Sequence, residues 1–458
     1  MSKKIFFILF FAFLIRLIAL NQSLWLDEAV TASVVKNFKF LQIIPGFSLN
    51  DFHPPLYYLL MKLWTNFFGY SEIALRMPSI LFSLATGYVV YLIGGVWSAV
   101  FFLFNPLVVY YSQEARMYMM ATFFLTSGLF YFFRSQKSEV KSQKLKSKAK
   151  NLIIMNLFFT LAFFSFYGSI FFISTILLYF LYKKDFKVFI LNTLYFILIV
   201  LFISPLLYQQ LIHSKISLSQ VTNWSRVLGK ANIKNLLLIP IKFSIGRISF
   251  YPKWLYWGIA GIWTSFVLYQ ILNIKNQSDK LKFKNIYLFD YLFIFPLILG
   301  FLVSFITPLL QFFRFLYLIP ILSILLGFRL SRQKKLHPQN VILATGFIIF
   351  SLVYLLLPQF HREDWKSLVK RLPKDKPVYM ITGSSDPVTY YSTDLKVNEL
   401  TSLPQDYCGQ IRLKKEIIVI PYTSEIYGFN YKSILKKSGY SLKKETSFRE
   451  LTYEQWIK

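Results

Sequence analysis

One cysteine, Cys408, stands in a chain of 458 residues, so no intrachain disulfide framework can form and no cysteine-rich metal site is available. Acidic side chains are also scarce, 21 Asp and Glu against 51 Lys and Arg with four histidines, for a formal net charge of +30. No Walker or Rossmann glycine pattern, zinc-ligand spacing or Ser/His/Asp arrangement occurs, which argues against nucleotide use. No internal repeat is visible. What fills the chain is apolar: 55% of residues are hydrophobic, 19% aromatic, and mean hydropathy is +0.48. Apolar stretches of about eighteen residues or more recur, each long enough to cross a hydrocarbon core of roughly 30 Å. Lys and Arg fall mainly between those stretches, so the partner of the positive charge is anionic lipid rather than nucleic acid.

The expected spans are about 5–24, 75–93, 96–111, 116–133, 151–167, 169–182, 188–207, 254–273, 288–307, 311–330 and 340–357, or about eleven crossings. The first is read as an uncleaved span rather than a signal peptide, because Ala19-Leu20-Asn21 is a poor cleavage site. Basic segments at Lys3-Lys4, Arg134 to Lys150, Lys183 to Lys187 and Arg332 to Lys335 then share the cytoplasmic side. That leaves Asp27, His53 and Glu114 on the outer face. The segment 208–253 reads as a basic outer loop, with Lys215, Arg226, Lys230, Lys234, Lys242, Arg247 and Lys253 and no acid; it rests on anionic headgroups or binds phosphate. After Leu357 the composition turns polar, with strands at Val378–Ile381 and Ile417–Ile420, which divides the chain into a membrane domain, 1–357, and a small extracytoplasmic α/β domain, 358–458.

Charges kept at a membrane boundary are candidates for function, since each costs roughly 2.5–3.5 kcal/mol at a helix centre on insertion scales. Asp27 and Glu28 follow the first span. As neighbours on a helix they lie about 100° apart and cannot share one pocket, so Asp27 is expected to be a base for an acceptor hydroxyl and Glu28 its neighbour in structure or in substrate contact; both also suit a helix N-terminus. In Asp51-Phe52-His53-Pro54-Pro55 the prolines start a helix at Leu56 that Gly69 stops, too short to span and so interfacial. It holds Asp51 and His53 near the surface for substrate, phosphate or metal, or as hydrogen-bonding structure. Ser112 to Tyr118 reads as a helix start with Ser112 as cap, and on that helix Glu114 and Tyr118 share a face. Arg116 lies in its first turn. Arg314 and Arg76 either snorkel outward or meet a phosphate.

Leu26-Asp27-Glu28, His53-Pro54-Pro55-Leu56-Tyr57-Tyr58, Ala74-Leu75-Arg76-Met77-Pro78, Asn105-Pro106 and Gln113-Glu114-Ala115-Arg116-Met117-Tyr118, in this order, resemble the GT-C-fold glycosyltransferases of the dolichyl- or polyprenyl-phosphate-mannose-protein mannosyltransferase and aminoarabinose transferase type. Arg314-Phe315-Leu316-Tyr317 and Arg362-Glu363-Asp364-Trp365 extend the likeness more loosely. The resemblance implies a sugar moved from a polyprenyl-phosphate donor to a protein, lipid or glycan hydroxyl at the outer face of the cell membrane, with inversion. It gives Asp27 the part of the first-loop acid and Glu114 that of the second. It makes Arg116, Tyr118, Arg314 and the basic 208–253 segment with Lys242 and Arg247 candidates for the donor phosphate. The late loops show no obvious acidic partner for a divalent metal, which leaves His53 and Glu114 as its possible ligands. A transporter or flippase for lipid-linked sugars is the rival reading; such proteins place ionisable groups near the midplane and carry paired repeats.

Overall fold

A computed structural model describes residues 3–137, 144–221, 223–272, 280–330, 338–403 and 415–458. Cys408, the Arg332 to Lys335 segment and part of the Arg134 to Lys150 segment lie outside the described residues. The membrane part runs α1 Lys3–Leu17, α2 Leu26–Asn37, α3 Leu56–Phe68, α4 Glu72–Leu103, α5 Pro106–Ser112, α6 Tyr118–Lys137, α7 Lys144–Ser165, α8 Ile170–Tyr182, α9 Phe186–Gln220, α10 Trp224–Leu228, α11 Ile233–Ile245, α12 Lys253–Leu272, α13 Lys280–Val303, α14 Ile319–Leu330 and α15 Pro338–Leu356. Among the described residues, five helices are long and apolar enough to cross a membrane, with further shorter apolar helices beside them. Large apolar side chains are exposed on the membrane part, Phe7 and Phe11 on α1 and Phe202 on α9 among them. Such a surface would drive aggregation in water and suits lipid.

α4 is two helices joined by a tight turn. Gly95 has φ +84° and ψ −170°, a backbone region almost confined to glycine. The Arg16 guanidinium donates to Ser83 Oγ at 3.0 Å and to the Leu103 carbonyl at 2.8 Å. Twenty residues of straight helix would hold those acceptors about 30 Å apart, so the chain folds back at Gly95, between the expected spans 75–93 and 96–111. Gly95→Ala is expected to destabilise the protein by roughly 1–3 kcal/mol, seen as a lower melting temperature in detergent; an unchanged melt would show that the turn tolerates a side chain.

Three expected spans are redrawn. Helix α1 stops at Leu17 rather than at 24, because the carbonyls of Leu20, Gln22 and Ser23 turn to the Arg76 guanidinium. The 96–111 span breaks at Asn105, whose side chain caps α5 by accepting from Leu107 and Val108. The 151–182 stretch breaks at 166–169 into α7 and α8, where the expected spans 151–167 and 169–182 meet. Helix α9 continues 13 residues past the expected end at 207, to Gln220, so 208–253 is mostly helix rather than loop.

The C-terminal part holds α16 Trp365–Arg371, α17 Asp386–Tyr391, α18 Ser424–Tyr427 and α19 Tyr431–Lys437 around a five-stranded sheet of order β2-β1-β3-β5-β4. Its strands are β1 Val378–Met380, β2 Val397–Glu399, β3 Glu416–Val419, β4 Ser441–Phe448 and β5 Leu451–Ile457. β1 pairs parallel with β2 and β3, and β5 runs antiparallel to β3 and β4. The sheet has its own apolar layers, with Trp365, Met380 and Ile418 on one face and Ile417, Val419 and Trp456 on the other. It docks on the membrane part through α17 against α2: Leu24 N–H donates to the Tyr391 hydroxyl at 2.8 Å, and the Tyr390 hydroxyl donates to the Tyr70 carbonyl at 2.8 Å.

Candidate active site

One buried ion pair builds the frame. Glu28 and Arg76, 0% and 1% exposed, meet at 2.6 and 2.8 Å. Arg76 donates further to the carbonyls of Leu20, Gln22 and Ser23, while Glu28 also accepts from Ala115 N–H at 2.8 Å. One forked pair thus ties the 18–25 turn, the start of α2 and the Glu114-Ala115-Arg116 turn together. Their donors and acceptors are consumed within the protein.

That frame sets Asp27 beside Arg116. Asp27, in the first turn of α2, keeps 36% of its side chain exposed, with Oδ2 3.3 Å from Arg116 Nη2. The same Nη2 reaches His53 Nε2 at 3.2 Å. A guanidinium has donors only, so Nε2 accepts and Nδ1–H faces Asp51, 3.3 Å away. Burial would raise the Asp51 carboxyl, but His53, the Phe52 N–H and Arg116 outweigh it and hold it below its ordinary value. Gln210 from α9 fastens this loop from behind, donating to the carbonyls of Ser48 and His53 at 2.7 and 3.1 Å. Asp51 and His53 therefore position Arg116, and through it Asp27.

Residues 113–117 form a turn and α6 begins at Tyr118, so the shared helix face expected for Glu114 and Tyr118 does not exist. Nor does Ser112 cap that helix: it ends α5 and donates to the Val109 carbonyl. Glu114 is 3% exposed and accepts on Oε1 from Arg362 Nε and Nη2 at 3.0 and 2.8 Å, while its Oε2 has no partner among the described residues. Arg362 also lies 3.7 Å above the Trp25 ring. The Tyr118 ring closes one wall against Tyr111, Phe166 and Phe313. Arg314 reaches that wall over Phe313 and donates to the Pro308 carbonyl at 3.2 Å.

Of the basic 208–253 residues whose side chains are described, Lys215, Lys230, Lys234 and Lys253 are exposed, while Lys242 and Arg247 turn inward. Arg247 donates to the Tyr110 hydroxyl at 2.7 Å, and both Arg247 and Arg362 lie against the Tyr110 ring, at 5.0 and 5.6 Å. A polar cleft opens there, lined by both arginines with Ser249, His361 and Glu450. Lys242 donates to the Tyr256 hydroxyl at 3.0 Å, and burial, with help from Arg247 and Lys253, lowers its ammonium to about 8. Sequence reading did not single out Arg362 as a site residue; its only signal was the loosely matching Arg362-Glu363-Asp364-Trp365.

The donor set does not fit a divalent metal. Among the described residues no three His, Cys, Asp or Glu gather. The two expected ligands have different partners, His53 sitting between Asp51 and Arg116 and Glu114 on Arg362. Asp27 and Glu114 each face a guanidinium group.

Residues 52–208 match the family model described as dolichyl-phosphate-mannose-protein mannosyltransferase. The chain is also similar to two crystal structures of ArnT from Cupriavidus metallidurans. The apo form has 11% identity and a TM-score of 0.58 over 98% of this chain and 97% of that one. The form bound to undecaprenyl phosphate has 13% identity and a TM-score of 0.57 over the same shares. This chain has the GT-C fold. No curated protein matches it. The GT-C likeness extends past the motif-bearing half to the C-terminal sheet, since it covers 98% of the chain.

Proposed function

We propose that the protein is a multi-pass glycosyltransferase of about eleven crossings that moves a sugar from a polyprenyl-phosphate donor to an acceptor hydroxyl on the outer face of the cell membrane, with inversion. The observation that carries this reading is Asp27: a half-exposed carboxylate oriented by Arg116, in a group of residues that also holds Glu114 and Arg362. Asp27 takes the proton from the acceptor hydroxyl as it attacks the anomeric carbon. Glu114 turns Arg362 and offers its unpartnered Oε2 to a sugar hydroxyl. Arg362, Arg247 and Arg116 receive the charge that grows on the leaving phosphate, away from bulk water where such contacts are stronger; Tyr118 and Arg314 line the wall beside it. The ArnT structure with bound undecaprenyl phosphate supports a carrier of that class.

The test incubates purified protein with a panel of radiolabelled polyprenyl-phosphate sugars and membrane extract. Label moved to an acceptor supports the reading; label that only changes leaflet in vesicles overturns it in favour of a flippase. Lys242 adds a pH dependence. Above a value of about 8 its ammonium loses a proton and with it a positive charge, so donor KM is expected to rise as pH passes from 7 to 9. Arginine stays charged throughout, so Lys242→Arg should flatten that rise, and a rise of equal size in the variant would assign it to another group.

A further inference from the structure

The C-terminal sheet presents a second set of chemistry to Asp27. The chain leaves β1 toward β2 on one side and returns to β3 on the other, so the carboxyl ends of β1 and β3 flank a topological switch point, the usual ligand-binding crevice of parallel sheets. The segments leaving those two ends are held together by Ser384 Oγ and Thr423 Oγ1 at 2.9 Å. Thr423 has φ +63°, a conformation that a β-branched residue adopts only when its surroundings impose it. Its hydroxyl also donates to the Tyr422 carbonyl at 2.7 Å. The strained residue thereby fixes Tyr422, whose ring packs edge-on against fully buried Trp365 with centroids 4.9 Å apart.

The Tyr422 hydroxyl donates to Glu363 Oε1 at 3.1 Å. Burial raises that phenol above its ordinary value, and the carboxylates of Glu363 and Asp27 add to the effect, so it remains a hydroxyl. Glu363 itself is 8% exposed, no cation pairs with it among the described residues, and its Oε2 has no hydrogen-bond partner there. A buried carboxylate oxygen in that state is costly unless a donor is supplied. The surrounding cations disfavour an ammonium: Arg362 is its chain neighbour, and Arg449 donates to the Arg362 carbonyl at 2.7 Å. A neutral hydroxyl satisfies the oxygen without repelling them.

We infer that Glu363 and Tyr422 form the acceptor subsite, hydrogen-bonding a hydroxyl-rich acceptor so that its nucleophilic oxygen lies against Asp27. This rests on the transferase reading. The acceptor therefore approaches between the membrane part and the β1 and β3 ends of the sheet, while the donor phosphate takes the Arg247 and Arg362 side.

The experiment compares full-length wild type, Tyr422→Phe and Glu363→Gln in detergent, with undecaprenyl-phosphate [³H]mannose and the rest of the donor panel. Label release to water is measured without acceptor, and transfer is measured against rising amounts of membrane extract. Tyr422→Phe keeps the ring against Trp365, so it folds even if Glu363→Gln does not. The expected result is donor hydrolysis within about two-fold of wild type and an acceptor KM raised by about ten-fold or more, the loss of a hydrogen bond to a charged partner. An unchanged acceptor KM in Tyr422→Phe overturns the subsite, as does a parallel fall of hydrolysis and transfer. Wild type that neither hydrolyses nor transfers any donor overturns the transferase reading, and the subsite falls with it; a failure confined to the variants' acceptor KM leaves that reading standing.

Discussion

Asp27→Asn is expected to lower sugar transfer by roughly 10²-fold or more, the range for loss of a positioned general base, while membrane insertion and the melting temperature stay near wild type. Of the boundary acids Asp27, Glu28 and Glu114, only Asp27 is open to an incoming hydroxyl. Glu28 spends both oxygens on Arg76, Ala115 and its own helix start, and is fully buried. Glu114 spends one oxygen on two donors of Arg362. Asp27 makes one ionic contact, at 3.3 Å from Arg116, and keeps a third of its side chain exposed. The amide retains the shape and the hydrogen bond from Arg116 but cannot accept the acceptor's proton. The measurement is initial-rate transfer from the accepted donor, with insertion followed by membrane fractionation. Near-normal transfer would remove Asp27 from the reaction.

The sequence made the acids visible because a carboxylate at a membrane boundary is expensive, and Leu26-Asp27-Glu28 and Gln113-Glu114-Ala115-Arg116 stand out against apolar neighbours. The same reasoning found the α3 helix, whose bounds at Pro55 and Gly69 are written in residues of fixed or permissive backbone. It separated Asp27 from Glu28 by helix geometry alone, since the burial that distinguishes them is set by Arg76 forty-eight residues away. Arg116 looked like a charge inside a helix because Ser112 reads as a cap, yet Ser112 closes one helix and a turn follows it. Strand β4 was illegible for another reason: Ser441 to Phe448 is an exposed edge strand carrying Lys443, Lys444 and Glu445, with no apolar alternation to betray it. Arg362 meets Glu114 across 248 residues and Tyr422 meets Glu363 across 59, separations that no local spacing encodes.

Arg362→Ala is expected to cost roughly 10²–10³ in turnover, the scale for removing one group that stabilises developing negative charge. It should also destabilise the fold by about 3–5 kcal/mol, because Glu114 is left as an uncompensated buried charge. The two effects have separate origins and can be separated. Arg362→Lys keeps the charge but cannot reach Glu114 with two donors while lying flat on Trp25; it should recover part of the stability and little of the turnover. In the double variant Glu114→Gln with Arg362→Gln no ion is left buried, so the melting temperature should return toward wild type while transfer stays low. Melting in detergent and kcat/KM for the donor are the two readouts. If transfer recovers along with stability in that double variant, Arg362 is a strut for the Glu114 turn and nothing more. If only stability recovers, the Glu114 and Arg362 pair acts on the donor, and a low turnover in Arg362→Lys, which keeps Glu114, assigns the loss to the guanidinium beside Arg247 across the Tyr110 ring.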